Sequence, residues 1–426
     1  MAELPNGKRS KWTVRASDMA NRTHNPIRAI VDGLKLEPNP DKDFIALSLG
    51  DPTLFGNLSI CEEMRETVCD VVNGMKSNGY GPALGLEFAR AAVAKQFSIP
   101  ESPLTSKDVV LGCGCSGAIE MALLVLANPG DNVLVPWPGF SIYRTLAGSY
   151  QFEARGYKLL PEKSWEADLE HMESLIDEKT ACIVVNSPSN PCGGVFTKEH
   201  LQDICAIAER YHLPILSDEV YAGMVFPGHT FHSVASIAKN VPVLTCGGLA
   251  KRYLVPGWRL GWILIHDPMD AFKEEVRQGL MNLATRILGP CTLVQAAIPK
   301  IFTDTPSEFY TKSMDVFQAN AELIYDALSH IPGLFPVMPC GAMYFMFGID
   351  MDKFVGFNDD MEFVTKLVEE ESVFCLPGKC FEYPNFVRIV TSLPKEKTVA
   401  AVERIKDFCA RHYCGSADMA EGNGIK

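Results

Sequence analysis

The chain has 426 residues and a formal net charge of −13, from 39 Lys and Arg against 52 Asp and Glu; 47% of it is hydrophobic and 21% charged. That length predicts two to three domains at about 150 residues each, with enough apolar surface for a large core. The acidic balance is a poor match for nucleic acid or an anionic membrane, and the composition excludes disorder over most of the length.

Residues 1–45 are polar and broken by Pro5, Pro26, Pro38 and Pro40. This predicts an N-terminal arm with at most one helix, near IRAIVDGLKL, packing with a small domain. The opening MAELPNGKRSKWTVRASDM has no apolar core, so no secretory leader is expected. No run of about 18 apolar residues predicts a membrane-spanning helix. From Asp108 the pattern becomes regular. DVVLGCG reads as a strand, SGAIEMALLVLA as a helix, NVLVPWP as a strand and FSIYRTLAGSY as a helix. ACIVVNSPSNP is a strand running into turn residues, KEHLQDICAIAERYH a helix, and LPILSDEVYAG, VPVLTCGG and RLGWILIHD three more strands. Their apolar runs are continuous rather than alternating, as expected of strands buried on both faces. Alternating strands and helices predict one α/β domain over residues 46–300, with a mostly parallel central sheet and right-handed crossovers. Over 301–415 long helices such as FYTKSMDVFQANAELIYDALSHI and shorter strands, GAMYFMFGID and FVRIVTS, predict a smaller α+β domain. Residues 416–426 are small and polar and read as a disordered tail. The 14 cysteines lie in apolar segments such as TACIVV and DICAIA and lack histidines at zinc spacing. They read as buried thiols of a reducing compartment, the cytoplasm, with no metal site.

In open α/β sheets ligands bind beyond the carboxyl ends of the strands, which directs attention to the residues that follow them. GCGCSG (Gly112–Gly117) lies between a strand and a helix. It matches a dinucleotide fingerprint, but the next strand ends at Pro136 and Trp137 without the acid that would hold a ribose. The glycines and the helix N-terminus fit a phosphate better, and a tight turn chosen for packing is the plain alternative. Lys251 follows a strand in CGGLAKRYLVPGWRLGW, beside Gly247 and Gly248, with Arg252 next to it and Arg259 between Trp258 and Leu260. An arginine in so apolar a setting needs an anion. Low dielectric and a neighbouring cation both favour the neutral form of an amine, which is a nucleophile for carbonyls. Asp218 ends an apolar strand, where a carboxylate is costly unless paired; a heterocyclic N–H cation would suit it, with Glu219 facing solvent. A turn-capping Asp is the alternative. Asn190, in NSPSNPCGG, either opens a turn or presents an amide at the strand end. Arg388, between Val387 and Ile389, suits a carboxylate ligand, or faces solvent from an edge strand. Together a phosphate, an aldehyde, a pyridinium and a carboxylate describe pyridoxal phosphate with an amino acid substrate.

The chain resembles the fold-type I pyridoxal-phosphate aminotransferases of class I over nearly its whole length. The likeness runs through KWTVRASDMA, NPIRAIVD, SLGDPT, LVLANPG, PEKSWE, DEKTAC, NPCG, GGLAKRYLVPGWRLGWILIHD, RILGPCT and CLPGKCFEYPNF. The resemblance implies pyridoxal 5′-phosphate attached to Lys251, which also serves as general base at the substrate Cα. It implies Asp218 on the ring nitrogen, Tyr221 and Asn190 on the ring hydroxyl oxygen, and Phe140 stacked on the ring. It implies Arg259, Ser116 and the backbone of Cys115 on the phosphate, with Tyr80 reaching the phosphate of the neighbouring subunit in a homodimer. Arg388, with Asn190 and Gly50, is implied for the substrate α-carboxylate. Many relatives carry a serine three residues before the lysine; here Gly248 stands there. The implied reaction takes tyrosine, and phenylalanine, as donor and 2-oxoglutarate as acceptor. Arg286 and Arg252 are both candidates for the acceptor's second carboxylate. Competing readings are a β-eliminating lyase with the same cofactor residues, a nicotinamide-dependent oxidoreductase, and a non-catalytic binding protein on the same scaffold.

Overall fold

Runs such as Val133–Val135 and Ile183–Val185 bury every residue, yet successive side chains enter different cores. Val133, Val135, Val184, Leu216 and Leu244 join one apolar cluster; Leu134, Ile183, Val185, Ile215 and Val243 join another. The period of two along each strand thus persists inside a continuous apolar run, because both faces of the sheet are covered. In the computed structural model, which describes residues 12, 14–34 and 36–415, the strands in chain order are β1 (Ile45–Ala46), β2 (Val109–Cys113), β3 (Asn132–Trp137), β4 (Glu153–Leu160), β5 (Glu166–Ala167), β6 (Thr180–Asn186), β7 (Ile215–Asp218), β8 (Val243–Gly248), β9 (Leu260–His266), β10 (Leu334–Val337), β11 (Tyr344–Ile349), β12 (Val373–Phe374), β13 (Leu376–Pro377) and β14 (Phe386–Val390). The tail expected over 416–426 lies outside the described residues.

An 8-stranded sheet has the order β2-β9-β8-β7-β6-β3-β4-β5. Strands β4, β3, β6, β7 and β8 pair in parallel, whereas β9 is antiparallel to both its neighbours and β5 to β4. The chain moves from β3 outward to β4, then returns to the other side of β3 with β6, so the strand order reverses there. Such a reversal opens a crevice beyond the strand ends. Helix Gly114–Leu126 covers one face over β8 and β9, and helix Lys198–Arg210 packs Leu201, Ile204 and Ala208 into the core of the other. Strands β4 and β5 and the helices Glu62–Asn73 and Glu87–Phe97 add to the elements expected from the apolar pattern.

A second, 4-stranded sheet has the antiparallel order β10-β11-β14-β13. Arg388 faces Met346 of β11 on one side and Leu376 of β13 on the other, so its strand is internal and the solvent-facing edge reading is excluded. Helices Ser307–Ser329 and Lys395–His412 pack over this sheet around Phe317, Phe345, Phe347, Phe363 and Phe408. Among its described residues the arm holds two helices rather than at most one. Ser17 caps Asp18–Arg22, and Asn25 caps Pro26–Gly33 with proline in the first turn, both ordinary start signals. The first lies on helix Ile142–Tyr150, with Thr23 Oγ1 and Ser149 Oγ 3.0 Å apart; the second packs Ile27, Ile30 and Val31 on Phe381 and Leu376. Among the described residues no helix is long and apolar enough to cross a membrane.

The segment after β14 is held by Asn320, whose buried amide donates to the carbonyls of Thr391 (2.9 Å) and Leu393 (2.7 Å). Asn320→Ala strands both carbonyls without a donor and is expected to cost about 2 kcal/mol, seen as a lower thermal midpoint of the purified protein. An unaltered midpoint would show that this amide does not fasten the segment.

Candidate active site

The carboxyl ends of β6, β7 and β8 place Asn186, Asp218 and Gly248 along one rim, and the helix that follows β2 begins beside them. Asp218 is 2% exposed. Its Oδ2 accepts a hydrogen bond from the Tyr143 hydroxyl (2.6 Å), and its Oδ1 accepts from the Val220 N–H (3.3 Å) and lies 3.6 Å from Cys115 Sγ. Burial pushes its carboxyl above the ordinary range, against the downward pull of those bonds and of Lys251. The Asn186 amide donates to the Asp218 carbonyl (2.9 Å) and accepts from the Asn190 N–H (2.9 Å). One side chain therefore ties the turn after β6 to the end of β7.

Helix Gly114–Leu126 has no side-chain cap at its N-terminus, so its first N–H groups are free to meet an anion. Arg259 lies over it, donating to the carbonyls of Pro256 (3.0 Å) and Cys113 (3.4 Å). Glycines make this packing possible: a Cβ on Gly114 would lie 2.5 Å from Arg259 Nη2. A Cβ on Gly261 would lie 2.4 Å from the Gly114 carbonyl carbon and 2.5 Å from Cys115 N. A Cβ on Gly248 would come within 2.9 Å of the Leu260 carbonyl oxygen, so a serine at this position would have no room without a backbone shift.

Across the cavity Lys251 Nζ donates to the Gly50 carbonyl (2.6 Å) and stands 5.9 Å from the centre of the Tyr221 ring. The Tyr221 and Tyr344 hydroxyls are 2.8 Å apart. Burial alone would raise the Tyr344 phenol, but Lys251, Arg388 and the Tyr221 hydrogen bond bring it below its ordinary value. Arg388 is 3% exposed. Its Nη1 donates to Asn190 Oδ1 (2.9 Å) and its Nη2 to the Ser48 carbonyl (2.5 Å), and its guanidinium lies 4.5 Å over the Tyr344 ring and 5.1 Å over Phe381. Its Nε, though buried, has no partner among the described residues.

Lys251, Asp218, Tyr221, Asn190, Phe140, Arg259, Cys115, Ser116, Arg388 and Gly50 all line one cavity of about 320 Å³. Tyr80 does not; it is 92% exposed on the protomer surface. Nor do the two candidates for a second carboxylate. Arg286 donates to the Tyr150 hydroxyl (3.3 Å), and Arg252 stacks 4.6 Å from the Tyr310 ring and lines a neighbouring cavity of about 170 Å³. Four further residues shape the site. Tyr344, Asn186 and Arg28 line the cavity, and Tyr143 orients Asp218 from behind. Of these only Asn186, at the strand end before NSPSNPCGG, carries a positional signal in the sequence.

Residues 42–405 match the family model described as aminotransferase class I and II. The chain is 56% identical over 416 residues to the tyrosine aminotransferase of Mus musculus, covering 97% of this chain and 92% of that one. It is 54% identical to the tyrosine aminotransferase of Homo sapiens over the same shares. Among solved structures, the tyrosine aminotransferase of Leishmania infantum superposes with a TM-score of 0.91 at 35% identity, covering 95% of this chain and all of that one.

Glu219 does not face solvent. It is 8% exposed, and its Oε1 accepts from Ser217 Oγ (2.9 Å), Ser233 Oγ (3.0 Å) and the Val234 N–H (3.0 Å). Alternation along the strand turns it away from Asp218, but that other face is also covered. Burial pushes its carboxyl from the ordinary 4.5 up to about 7. Between those values the folded state keeps a proton that the unfolded chain has released, so the contribution is full below 4.5 and lost as pH rises through 7. Glu219→Gln is therefore expected to flatten the fall in thermal midpoint between about pH 5 and about pH 8. An equal slope in both proteins would show that this carboxyl does not titrate in the folded state.

Proposed function

The chain belongs to the class I and II aminotransferases, and we propose that with pyridoxal 5′-phosphate it transfers the amino group of L-tyrosine, and of phenylalanine, to 2-oxoglutarate. The products are 4-hydroxyphenylpyruvate and glutamate, as in the first step of tyrosine catabolism. The convergence of Asp218, Lys251 and Arg388 on one cavity carries this reading. The residues fit the cofactor: a buried carboxyl group suits a pyridinium, an uncapped helix N-terminus under Arg259 suits a phosphate, and the unpartnered Nε of Arg388 suits a carboxylate oxygen.

When bound, pyridoxal phosphate supplies an electrophilic carbonyl carbon and a protonated ring that takes up the electron pair left at the substrate Cα. Asp218 keeps that ring nitrogen protonated by charge pairing. Tyr221 and Asn190 donate to the ring hydroxyl oxygen, and Phe140 covers the ring face. Arg259, Ser116 and the Cys115 N–H hold the phosphate. Lys251 would anchor the cofactor covalently, and its amine, held at the cavity wall, would serve as general base at the substrate Cα. Arg388, with Asn190 and Gly50, fixes the α-carboxylate and so the orientation of the Cα–H bond. Tyr80, exposed on its own protomer, reaches the phosphate of the neighbouring subunit in a homodimer with shared active sites. The 14 cysteines are all free, which supports a reducing compartment, the cytoplasm.

The deciding measurement is the visible spectrum of the holoprotein, first with tyrosine alone and then with 2-oxoglutarate. The expected result is a yellow protein that bleaches with tyrosine and recovers with the oxo acid. A yellow protein indifferent to tyrosine would overturn the donor, and release of ammonia without an acceptor would point to a lyase. Lys251→Ala is expected to bind pyridoxal phosphate without covalent attachment and to lose at least about a thousandfold in rate; turnover at the wild-type rate would refute the role of Lys251. For Asp218→Ala the expectation is retained cofactor and slowed transamination, checked by the rate of the tyrosine half-reaction.

A further inference from the structure

The cavity wall carries four cationic side chains, Lys251, Arg259, Arg388 and Arg28, and one anionic one, Asp218. The reading above, on which this inference rests, occupies three of the four: Lys251 with the cofactor, Arg259 with its phosphate and Arg388 with the α-carboxylate. The acceptor in that reading is a dicarboxylate, and its distal carboxylate is left without a partner. We propose that Arg28, in the arm helix Pro26–Gly33, takes the distal carboxylate of the acceptor and sets the preference for dicarboxylic over monocarboxylic oxo acids.

The arm is built to hold it there. Asn25 caps the helix by accepting from the Arg28 N–H (3.2 Å), and the Thr145 hydroxyl donates to the His24 carbonyl (3.0 Å) just before it. Ile30 and Val31, one turn on, pack against Phe381, whose ring also lies under Arg388. Arg28 is exposed and enters none of the ion pairs formed among the described residues, so its charge is not committed elsewhere. Ile27 and Leu49 line the same cavity. An apolar patch beside an exposed, unpaired cation suits a site that must receive a neutral aromatic ring in one half-reaction and a carboxylate in the other. Arg286 and Arg252 offer no such access within the protomer, being placed on Tyr150 and Tyr310.

The test compares holoenzyme with Arg28→Met, Arg28→Lys and Arg286→Met in two readouts. One is the ratio of kcat/KM for 2-oxoglutarate to that for 2-oxohexanoate, which lacks the distal charge, with tyrosine as donor. The other is calorimetric binding of glutarate, an unreactive dicarboxylate. The loss of one charged hydrogen bond should lower the ratio roughly tenfold to a hundredfold in Arg28→Met and weaken glutarate to match, with partial recovery in Arg28→Lys. An unaltered ratio together with unaltered glutarate binding overturns the proposal, as does the same loss appearing in Arg286→Met instead. A wild-type protein that does not transaminate tyrosine refutes the proposed reaction; weaker glutarate binding in Arg28→Met would still uphold the carboxylate site.

Discussion

Asp218 is nearly sealed from water and forms no ion pair among the described residues. Removing a carboxylate from water without a counter-charge costs several kcal/mol, and the end of the 8-stranded sheet around Asp218 is built to meet part of that cost. Strand β7 sits between β6 and β8, so its end is walled on both sides. Tyr143, the Val220 N–H and Cys115 satisfy part of the group, and Asn186 fixes the backbone beneath it. What they leave unmet is a full positive charge, and a cationic ring nitrogen is the kind of ligand that supplies one. A cationic ligand there would recover the desolvation cost that the fold imposes on a single side chain.

The carboxylate site is put together differently. Arg388 belongs to the small sheet, while its partners Asn190 and the Ser48 carbonyl come from the turn after β6 and the segment preceding the first long helix. A ligand gripping Arg388 and Asp218 at once bridges the two sheets. The arm bridges them again on the outside, through Thr23 at Ser149 and Val31 at Phe381.

The central strands β2, β3 and β6 to β9 are legible in the sequence because each is a short apolar run closed by turn residues. Strand β4 is not: EARGYKLL is half-exposed along much of its length, so it shows neither a continuous nor an alternating pattern. Lys251, Asp218, Arg388 and Asn190 are legible because a charged or amide side chain at the edge of an apolar run needs a reason to be there. Tyr344 is not, since its meaning depends on Tyr221, 123 positions earlier, which only the folded chain brings to 2.8 Å. Arg28 is hidden for the same reason, as an arginine on an amphipathic helix that reads as surface. Glu219 is instructive. Alternation correctly turns it away from Asp218, but the continuous apolar strands beside it already imply that both faces are covered.

Cys115 stands 3.6 Å from Asp218 on the wall of a cavity that this reading fills with an aldehyde. Thiolates attack carbonyl carbons readily, and a thiolate here would compete with the lysine amine. Burial first, and the neighbouring carboxyl next, push the Cys115 thiol well above its ordinary value. The sulfur therefore stays protonated, and a thiol is a poor nucleophile. The environment that makes Asp218 costly to ionise also silences the sulfur beside it, so the fold removes a competing nucleophile from a cavity that both side chains line.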